Sequence, residues 1–262
     1  MKYVVCFSGG HGSALAAVET VYRYGRDNTI LLNHDISSKV EDADVKRFKA
    51  EVAEYLGVPI IYANRDNFEK DTPLSLCRQE KMIRFRGGHS ICTYYLKTKP
   101  FAEWLSENYP VGQGRISDEI TLVYGFDAWE RRRIDRRRCI LSAQGYNSIY
   151  PLADKKSLWI KDVRELGIWL PESYATSKHA NCIGCLKAGR QHWYMVYCLR
   201  PDIYWEAVET EEYVGCSIIR DIFLKDLEPL FYCMKRLGIR PQDNICSALF
   251  WAETRKKLYA SY

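Results

Sequence analysis

The sequence lacks any long apolar run, and this absence excludes the simplest class of membrane protein. No stretch of its 262 residues approaches the roughly 18 apolar residues that a membrane-spanning helix needs. The opening apolar run, residues 3–7, reaches Ser8-Gly9-Gly10 too early for a secretory signal peptide. We therefore expect a cytoplasmic protein with no membrane association.

Low-complexity sequence and a strong excess of one charge are also missing. Glycine and proline number only 16 and 9, which excludes collagen-like and proline-rich sequences. Apolar residues make up 47% of the chain, and 38 basic against 33 acidic side chains give a net charge of +5. This composition supports a sizeable core and excludes wholesale disorder.

Ten cysteines are many for a chain of this size with no sign of export. Because they are spread along the sequence, a disulfide framework is not expected. A subset is available for a metal or a cluster, and the others are expected to be small buried apolar residues. The cysteines expected to be buried are Cys6, Cys77, Cys139, Cys216, Cys233 and Cys246.

The first half of the chain alternates short apolar runs with amphipathic helix patterns. The predicted elements are strands at 3–7, 29–33, 58–62 and 119–124, and helices at 14–24, 42–56 and 99–105. Strands that alternate with helices indicate an α/β fold with a parallel sheet. Residues 64–91 are polar and irregular, and they predict a loop or short helices over a site.

The texture of the sequence changes near residue 150. Beyond it tryptophan and tyrosine become frequent and helical patterns dominate. We therefore predict an α/β domain over residues 1–150 and a mostly helical region over residues 151–262, with the boundary near 148–155.

A glycine-rich turn, Ser8-Gly9-Gly10-His11-Gly12-Ser13, joins the first predicted strand to the first predicted helix. At this position glycines let the backbone approach a phosphate closely, and the helix N-terminus offers unpaired N–H groups. The spacing fits neither G-x-G-x-x-G nor the Walker pattern, and a plain strand-to-helix turn is the alternative. Its position after the first strand favours phosphate binding.

Five segments, taken together and in order, resemble the PP-loop adenine nucleotide α-hydrolase superfamily, and most closely its phosphoadenosine phosphosulfate (PAPS) reductase-like family. The segments are Val4 to Ser13 (the S-G-G-x-D-S loop), Asn33-His34-Asp35 (the adenosine side), Ile91 to Pro100 (C-x-x-x-K-x-x-P), Tyr124 to Ala128 with the arginines that follow, and Asn181 to Cys185 (C-x-x-C). The resemblance covers roughly residues 1–200. It implies a Rossmann-like parallel sheet of the adenine nucleotide α-hydrolase type.

The resemblance also implies the ligand and the reaction. The ligand would be ATP or a related adenine nucleotide, including adenosine phosphosulfate (APS) and PAPS. The enzyme would activate an acceptor through the nucleotide α-phosphate, for sulfur transfer, with Lys97 and Asp127 in catalytic roles. The implied nucleotide-binding residues are Ser8, Gly9, Gly10, His11, Gly12, Ser13, Asn33, His34, Asp35, Gly125, Arg131 and Arg132.

The Cys182-x-x-Cys185 spacing can place two thiolates on one metal or cluster. The resemblance adds Cys92 as a third ligand. His179, His192 and Cys198 are candidates for the fourth position, with Cys198 preferred, and that position is otherwise open. A 4Fe-4S cluster is favoured over zinc, and core packing of the thiols is the alternative.

Two departures from the family pattern bear on the chemistry. Gly12 stands where the PP-loop has aspartate, which favours a nucleotide-binding subunit or sensor without turnover as an alternative. The tail Tyr259-Ala260-Ser261-Tyr262 has no cysteine, whereas the reductases carry their attacking thiol there. Reduction of APS or PAPS would need an internal cysteine such as Cys246, which we expect to be buried.

Six arginines lie between residues 131 and 138, and three interpretations of them stay open. They form a solvated basic face, contact the anionic part of a nucleotide, or bind nucleic acid. The acceptor of the reaction is correspondingly a nucleic acid or a protein. An oligomer is compatible with the sequence.

Overall fold

The computed structural model describes residues 1–154 and 158–260. Its sheet has five strands: β1 (Lys2–Cys6), β2 (Thr29–Asn33), β3 (Ile60–Tyr62), β4 (Ile120–Val123) and β5 (Asn147–Ile149). All neighbouring strands are parallel, in the order β3-β2-β1-β4-β5. The predicted α/β fold with a Rossmann-like parallel sheet is confirmed.

The described residues contain ten α-helices, of which six lie between residues 11 and 143 and four lie in the C-terminal part. They are α1 (His11–Tyr24), α2 (Ala43–Leu56), α3 (Pro73–Glu80), the short α4 (Ile91–Thr93), α5 (Lys99–Asn108), α6 (Arg131–Ala143), α7 (Arg190–Leu199), α8 (Pro201–Val214), α9 (Leu224–Arg236) and α10 (Ser247–Tyr259). No helix in these residues combines the length and the apolarity that crossing a membrane requires.

The strand order reverses at the centre of the sheet, and this reversal positions the site. From β1 the chain passes through α1 to β2 on one side, whereas from β4 it passes through α6 to β5 on the other. The loops that leave β1 and β4 therefore diverge at their carboxyl ends. In open parallel sheets such a divergence leaves a crevice in which ligands bind.

The sheet strands are buried because apolar layers cover both of their faces. One layer joins Val5 and Phe7 to α1 and to Phe48 of α2. The other joins Val4 and Leu122 to residues of α5 and α6. Both layers leave the carboxyl ends of the strands to the polar loops.

The chain forms two compact units. The first comprises residues 1–35, 43–66 and 96–172, and the second comprises residues 36–42, 67–95 and 173–262. The first unit contains the whole sheet, and it includes residues 151–172, which the sequence assigns to the C-terminal region.

Several local predictions differ from the structure for identifiable reasons. Helix α1 begins at His11, three residues before the predicted start, because the Gly10 carbonyl already accepts a bond from the Ala14 N–H. The sequence does not predict strand β5, because its Asn-Ser-Ile residues form no apolar run. Part of the cysteine-free tail, residues 261–262, lies outside the described residues.

The burial expected of the cysteines is wrong for four of the six. Cys77 is buried and Cys6 is half-buried, and the pKa of Cys6 is raised by burial to about 11. The exposed ones are Cys139, Cys216, Cys233 and Cys246. Cys139 and Cys233 lie on the outer faces of α6 and α9, and Cys246 directly precedes α10, so none of these three takes part in a helix–core contact.

Candidate functional site

The loop Ser8–Ser13 follows β1 and opens α1. Gly10 is the residue before the helix and has an extended backbone (φ −89°, ψ 157°), with no side chain that caps the helix. The Ser13 hydroxyl donates to the Gly10 carbonyl at 2.8 Å and lies 3.3 Å from the Ser8 hydroxyl. The helix has no acidic residue in its first turn. Its N-terminus therefore keeps the partial positive charge that favours an anion.

Gly9 adopts a left-handed backbone (φ +77°) and lies against the stem of Lys49. A Cβ at Gly9 would lie 2.7 Å from Lys49 Cγ and 3.1 Å from Val45 Cγ1. Both the backbone conformation and the space therefore require glycine.

Gly12 and Gly125 bring the loops after β1 and β4 into direct backbone contact. A Cβ on Gly12 would lie 2.9 Å from the Gly125 carbonyl oxygen, and a Cβ on Gly125 would lie 2.3 Å from the Gly12 carbonyl oxygen. The aspartate of the PP-loop pattern has no room at position 12 with the backbones this close.

Asn33 ends β2, and His34 and Asp35 follow it beside the loop. The Asn33 amide donates to the Phe7 carbonyl, which ties the end of β2 to the start of the glycine loop. Lys49 Nζ lies 3.1 Å from Asp35 Oδ1 and 3.4 Å from Asn33 Oδ1, with only 1% of its side chain exposed. This buried ion pair fixes the predicted adenosine side against the glycine loop.

Both histidines of the predicted site are held neutral near pH 7. Burial lowers the pKa of His34, and the charge of Lys97 lowers it further, although a bond to the Ala63 carbonyl opposes the shift. Burial also lowers the pKa of His11, against the opposing effect of Asp162, which lies 3.7 Å from His11 Nε2. Each ring therefore offers a hydrogen-bonding group rather than a cation to a ligand.

The two residues predicted to be catalytic occupy different environments. Lys97 is exposed, and its electrostatic effect on His34 indicates that it lies near the predicted adenosine side. Asp127 follows β4 and caps the short turn Ala128–Glu130, where its carboxylate accepts a bond from the Ala128 N–H at 2.6 Å. The carboxylate therefore has a structural function in the capping of this turn.

Arg131 and Arg132 are exposed at the start of α6. With Trp129 they line a shallow cleft of about 550 Å³. Within the described residues neither forms an ion pair, and both lie at the start of α6, beyond the loop that leaves β4.

The predicted metal ligands all belong to the second unit. Cys92 lies in α4, Cys198 lies in α7, and Cys182 and Cys185 lie in the loop before α7. Within residues 1–154 and 158–260, no group of three or more histidine, cysteine, aspartate or glutamate side chains is arranged to hold a metal ion. The donor set for a cluster or for zinc is thus not assembled in this arrangement, and the metal centre stays a prediction.

Local contacts show what surrounds these thiols. Burial and the neighbouring Cys92 raise the pKa of Cys77 to about 12, so Cys77 lies close to Cys92 and stays protonated. Burial also raises the pKa of Cys198, which hydrogen-bonds with Tyr194. Gly184, between the two cysteines of the C-x-x-C segment, has φ +75°, and a Cβ there would lie 2.7 Å from Ile203.

Lys49 is the residue of the site that the sequence analysis misses. It lies on the buried face of α2 with Val45, Phe48 and Val52. A lysine within an otherwise apolar helical stripe is a detectable signal, because a buried ammonium requires a partner.

Searches of protein families, of curated proteins and of solved structures each find no match to this chain.

Proposed function

We propose that the loop Ser8–Ser13 binds the phosphates of an adenine nucleotide, and that the protein is a PP-loop enzyme that activates an acceptor at the α-phosphate. The observation that carries this proposal is the backbone contact of Gly12 with Gly125. It brings the loop after β1 and the loop after β4 together where the strand order reverses. Phosphate sites in parallel α/β sheets lie at that position.

Local electrostatics support an anionic ligand. The first turn of α1 has no acidic side chain, and Ser8 and Ser13 add hydroxyl donors. Asp35, the nearest acidic residue of the predicted adenosine side, is neutralised by Lys49 and Lys46 at 3.1 Å and 3.4 Å. The N–H groups of the helix N-terminus thus face no competing carboxylate from the loop itself.

In the proposed reaction an acceptor oxygen attacks the α-phosphorus of ATP. The bond from the α-phosphorus to the bridging oxygen breaks, and pyrophosphate leaves. A hydrosulfide ion then attacks the activated acceptor carbon: a C–S bond forms as the C–O bond breaks, AMP leaves with the former acceptor oxygen, and the proton of the hydrosulfide passes to solvent. Backbone N–H groups of the loop would stabilise charge on the phosphate oxygens during the first displacement.

A nucleotide-binding subunit without turnover is the second candidate. It is favoured by Gly12, because the PP-loop carboxylate is missing and the contact with Gly125 leaves no space for it. The two candidates share the binding site and differ only in pyrophosphate release.

Titration calorimetry with ATP, AMP and PAPS tests the binding, and a pyrophosphate-release assay separates the two candidates. Gly10→Val adds a side chain at the residue that caps α1 while its extended backbone tolerates valine. Gly189→Val is the matched control, because Gly189 caps α7 with an extended backbone (φ −91°) and has open space around it. Loss of ATP binding in Gly10→Val alone supports the site, whereas equal affinity in both variants contradicts it.

A further inference from the structure

Helix α6 concentrates the positive charge of the protein. It contains six arginines and one aspartate, so its net charge equals the +5 of the whole chain, and all other residues together are balanced. Five of these arginines are exposed. Such an uneven distribution creates a local positive field that the modest net charge of the chain conceals.

The phase of the helix directs two arginines outward. Ile134 and Leu141 are the buried residues of α6, and they mark the side that rests on the sheet layer. At about 100° per residue, Arg132 and Arg136 lie on the opposite side, one turn apart. These two guanidinium groups therefore extend from the outermost face of the helix.

The flanking arginines are held by aromatic rings. The three contacts are Arg133 over Phe126 at 4.0 Å, Arg137 over Tyr124 at 5.4 Å and Arg138 over Tyr150 at 5.4 Å. The centroids of the three rings lie 5.3–6.0 Å from one another, so the rings form one compact aromatic cluster. Cation–π contacts of this kind orient the guanidinium groups, so the positive field beside the outward face has a fixed position.

Trp129 lies in the turn directly before α6, and its side chain is 76% exposed. With residues 130–133 it lines the shallow cleft of about 550 Å³. An indole this exposed buries only a small part of its apolar surface. Beside a row of guanidinium groups it has the character of a stacking platform for a nucleobase.

We propose that Trp129 and the outward face of α6 bind single-stranded nucleic acid. Arg132 and Arg136 contact consecutive phosphates, and Trp129 stacks on a base. Guanidinium groups match phosphate oxygens in two-point contacts, and an aromatic ring adjoining them is typical of sequence-tolerant binding of single strands. This proposal stands on α6 and does not rest on nucleotide binding by the glycine loop.

Fluorescence anisotropy with a labelled 20-residue oligonucleotide tests the proposal. RNA and DNA of the same mixed sequence are titrated with the full chain between 50 and 200 mM KCl. Arg132→Glu/Arg136→Glu is compared with Arg220→Glu/Arg240→Glu, which lowers the net charge equally at exposed positions of the second unit. Circular dichroism confirms that each variant is folded.

The proposal predicts that the α6 variant binds at least about tenfold more weakly than the control variant. A plot of log K against log salt concentration should also have a slope that is shallower by about 1.4 for the α6 variant. Each lost phosphate contact reduces the slope by about 0.7, and this variant loses two. Trp129→Ala should weaken binding about fivefold or more while it leaves the salt slope unchanged. Binding of RNA, DNA or both in this pattern supports the proposal. Equal loss in the two charge variants, or no binding of wild type at 50 mM KCl, overturns it.

Discussion

Gly12 and Gly125 are in contact through their backbones, so closely that a Cβ on Gly125 would lie 2.3 Å from the Gly12 carbonyl oxygen. This contact joins the two loops that diverge at the reversal of strand order. It also accounts for glycine at the position where the PP-loop pattern has aspartate, since any side chain there would meet the backbone of the other loop.

Gly125→Ala should therefore destabilise the protein. The methyl group must push the two loops apart, and we expect a loss of about 1–3 kcal/mol in the free energy of unfolding, measured by urea titration. Gly189→Ala is the control, because no atom lies within 4 Å of a Cβ at that position. Equal midpoints for Gly125→Ala and wild type would show that the loops are not in contact.

The buried ion pair of Lys49 with Asp35 gives a second prediction. Lys49→Met leaves the half-buried Asp35 carboxylate without its closest cation, and it should lower the free energy of unfolding by about 1–3 kcal/mol. Lys46→Met removes the half-buried partner of the same carboxylate at 3.4 Å and should cost less than about 1 kcal/mol. The account of Lys49 fails if the two substitutions have equal effects in chemical denaturation.

Glu211 predicts a pH dependence of stability in the second unit. It is almost fully buried, and its two carboxylate oxygens accept bonds from the Ile218 and Leu224 N–H groups, both at 2.6 Å. Burial raises the pKa of Glu211 against the opposing effect of these bonds. The folded state therefore binds the proton of Glu211 more tightly than the unfolded state does. As a result, the contribution of Glu211 to the free energy of unfolding falls as the pH rises from the ordinary glutamate pKa of 4.5 through the raised pKa of the folded state.

Glu211→Gln replaces one carboxylate oxygen with an NH₂ group, a donor that faces a backbone N–H. The substitution should lower the free energy of unfolding by about 1–3 kcal/mol. The difference in unfolding free energy between wild type and this variant should shrink as pH rises through that window. Glu212→Gln, at an exposed neighbour paired with Lys225, should show neither effect. A difference that grows with pH would reverse the predicted direction of the shift.

Among the described cysteines whose pKa is shifted, Cys246 should react fastest with an alkylating reagent. It is exposed, and bonds from the Leu249 and Ala248 N–H groups lower its pKa, with a smaller effect from Lys178. Cys77 is the slow comparator, because burial and Cys92 raise its pKa to about 12. Timed alkylation with iodoacetamide at pH 7, followed by peptide mass spectrometry, measures both rates. Faster labelling of Cys77 would contradict this assignment.

Sequence patterns were sufficient wherever a single segment determines the structure. The apolar run before Ser8 predicts β1, and helical spacing from Val45 to Leu56 predicts α2, because burial of a local apolar face decides both. The sequence does not predict strand β5, because its Asn-Ser-Ile residues have no strand pattern of their own. These residues form a strand because they pair with β4 in the folded protein.

The candidate site depends on contacts between distant segments, and these leave a weaker trace in the sequence. The meeting of Gly12 with Gly125 cannot be derived from the spacing of either loop. The role of Lys49 was visible only as a charge on an apolar helix face. Cys246 was expected to be buried because its neighbours are apolar, although its position directly before α10 leaves it exposed.

Glycine-selective ¹⁵N labelling offers the most direct test of phosphate binding by the Ser8–Ser13 loop. The chain has 16 glycines, and the amide signals of Gly9, Gly10 and Gly12 can be assigned from triple-resonance spectra of protein labelled with ¹³C and ¹⁵N. Titration with ATP should shift these three signals strongly, because their N–H groups would bond to phosphate, while Gly215 and Gly238 of the second unit stay unchanged. Saturating ATP that leaves the three loop signals in place, or that moves only glycines of the second unit, would contradict the account.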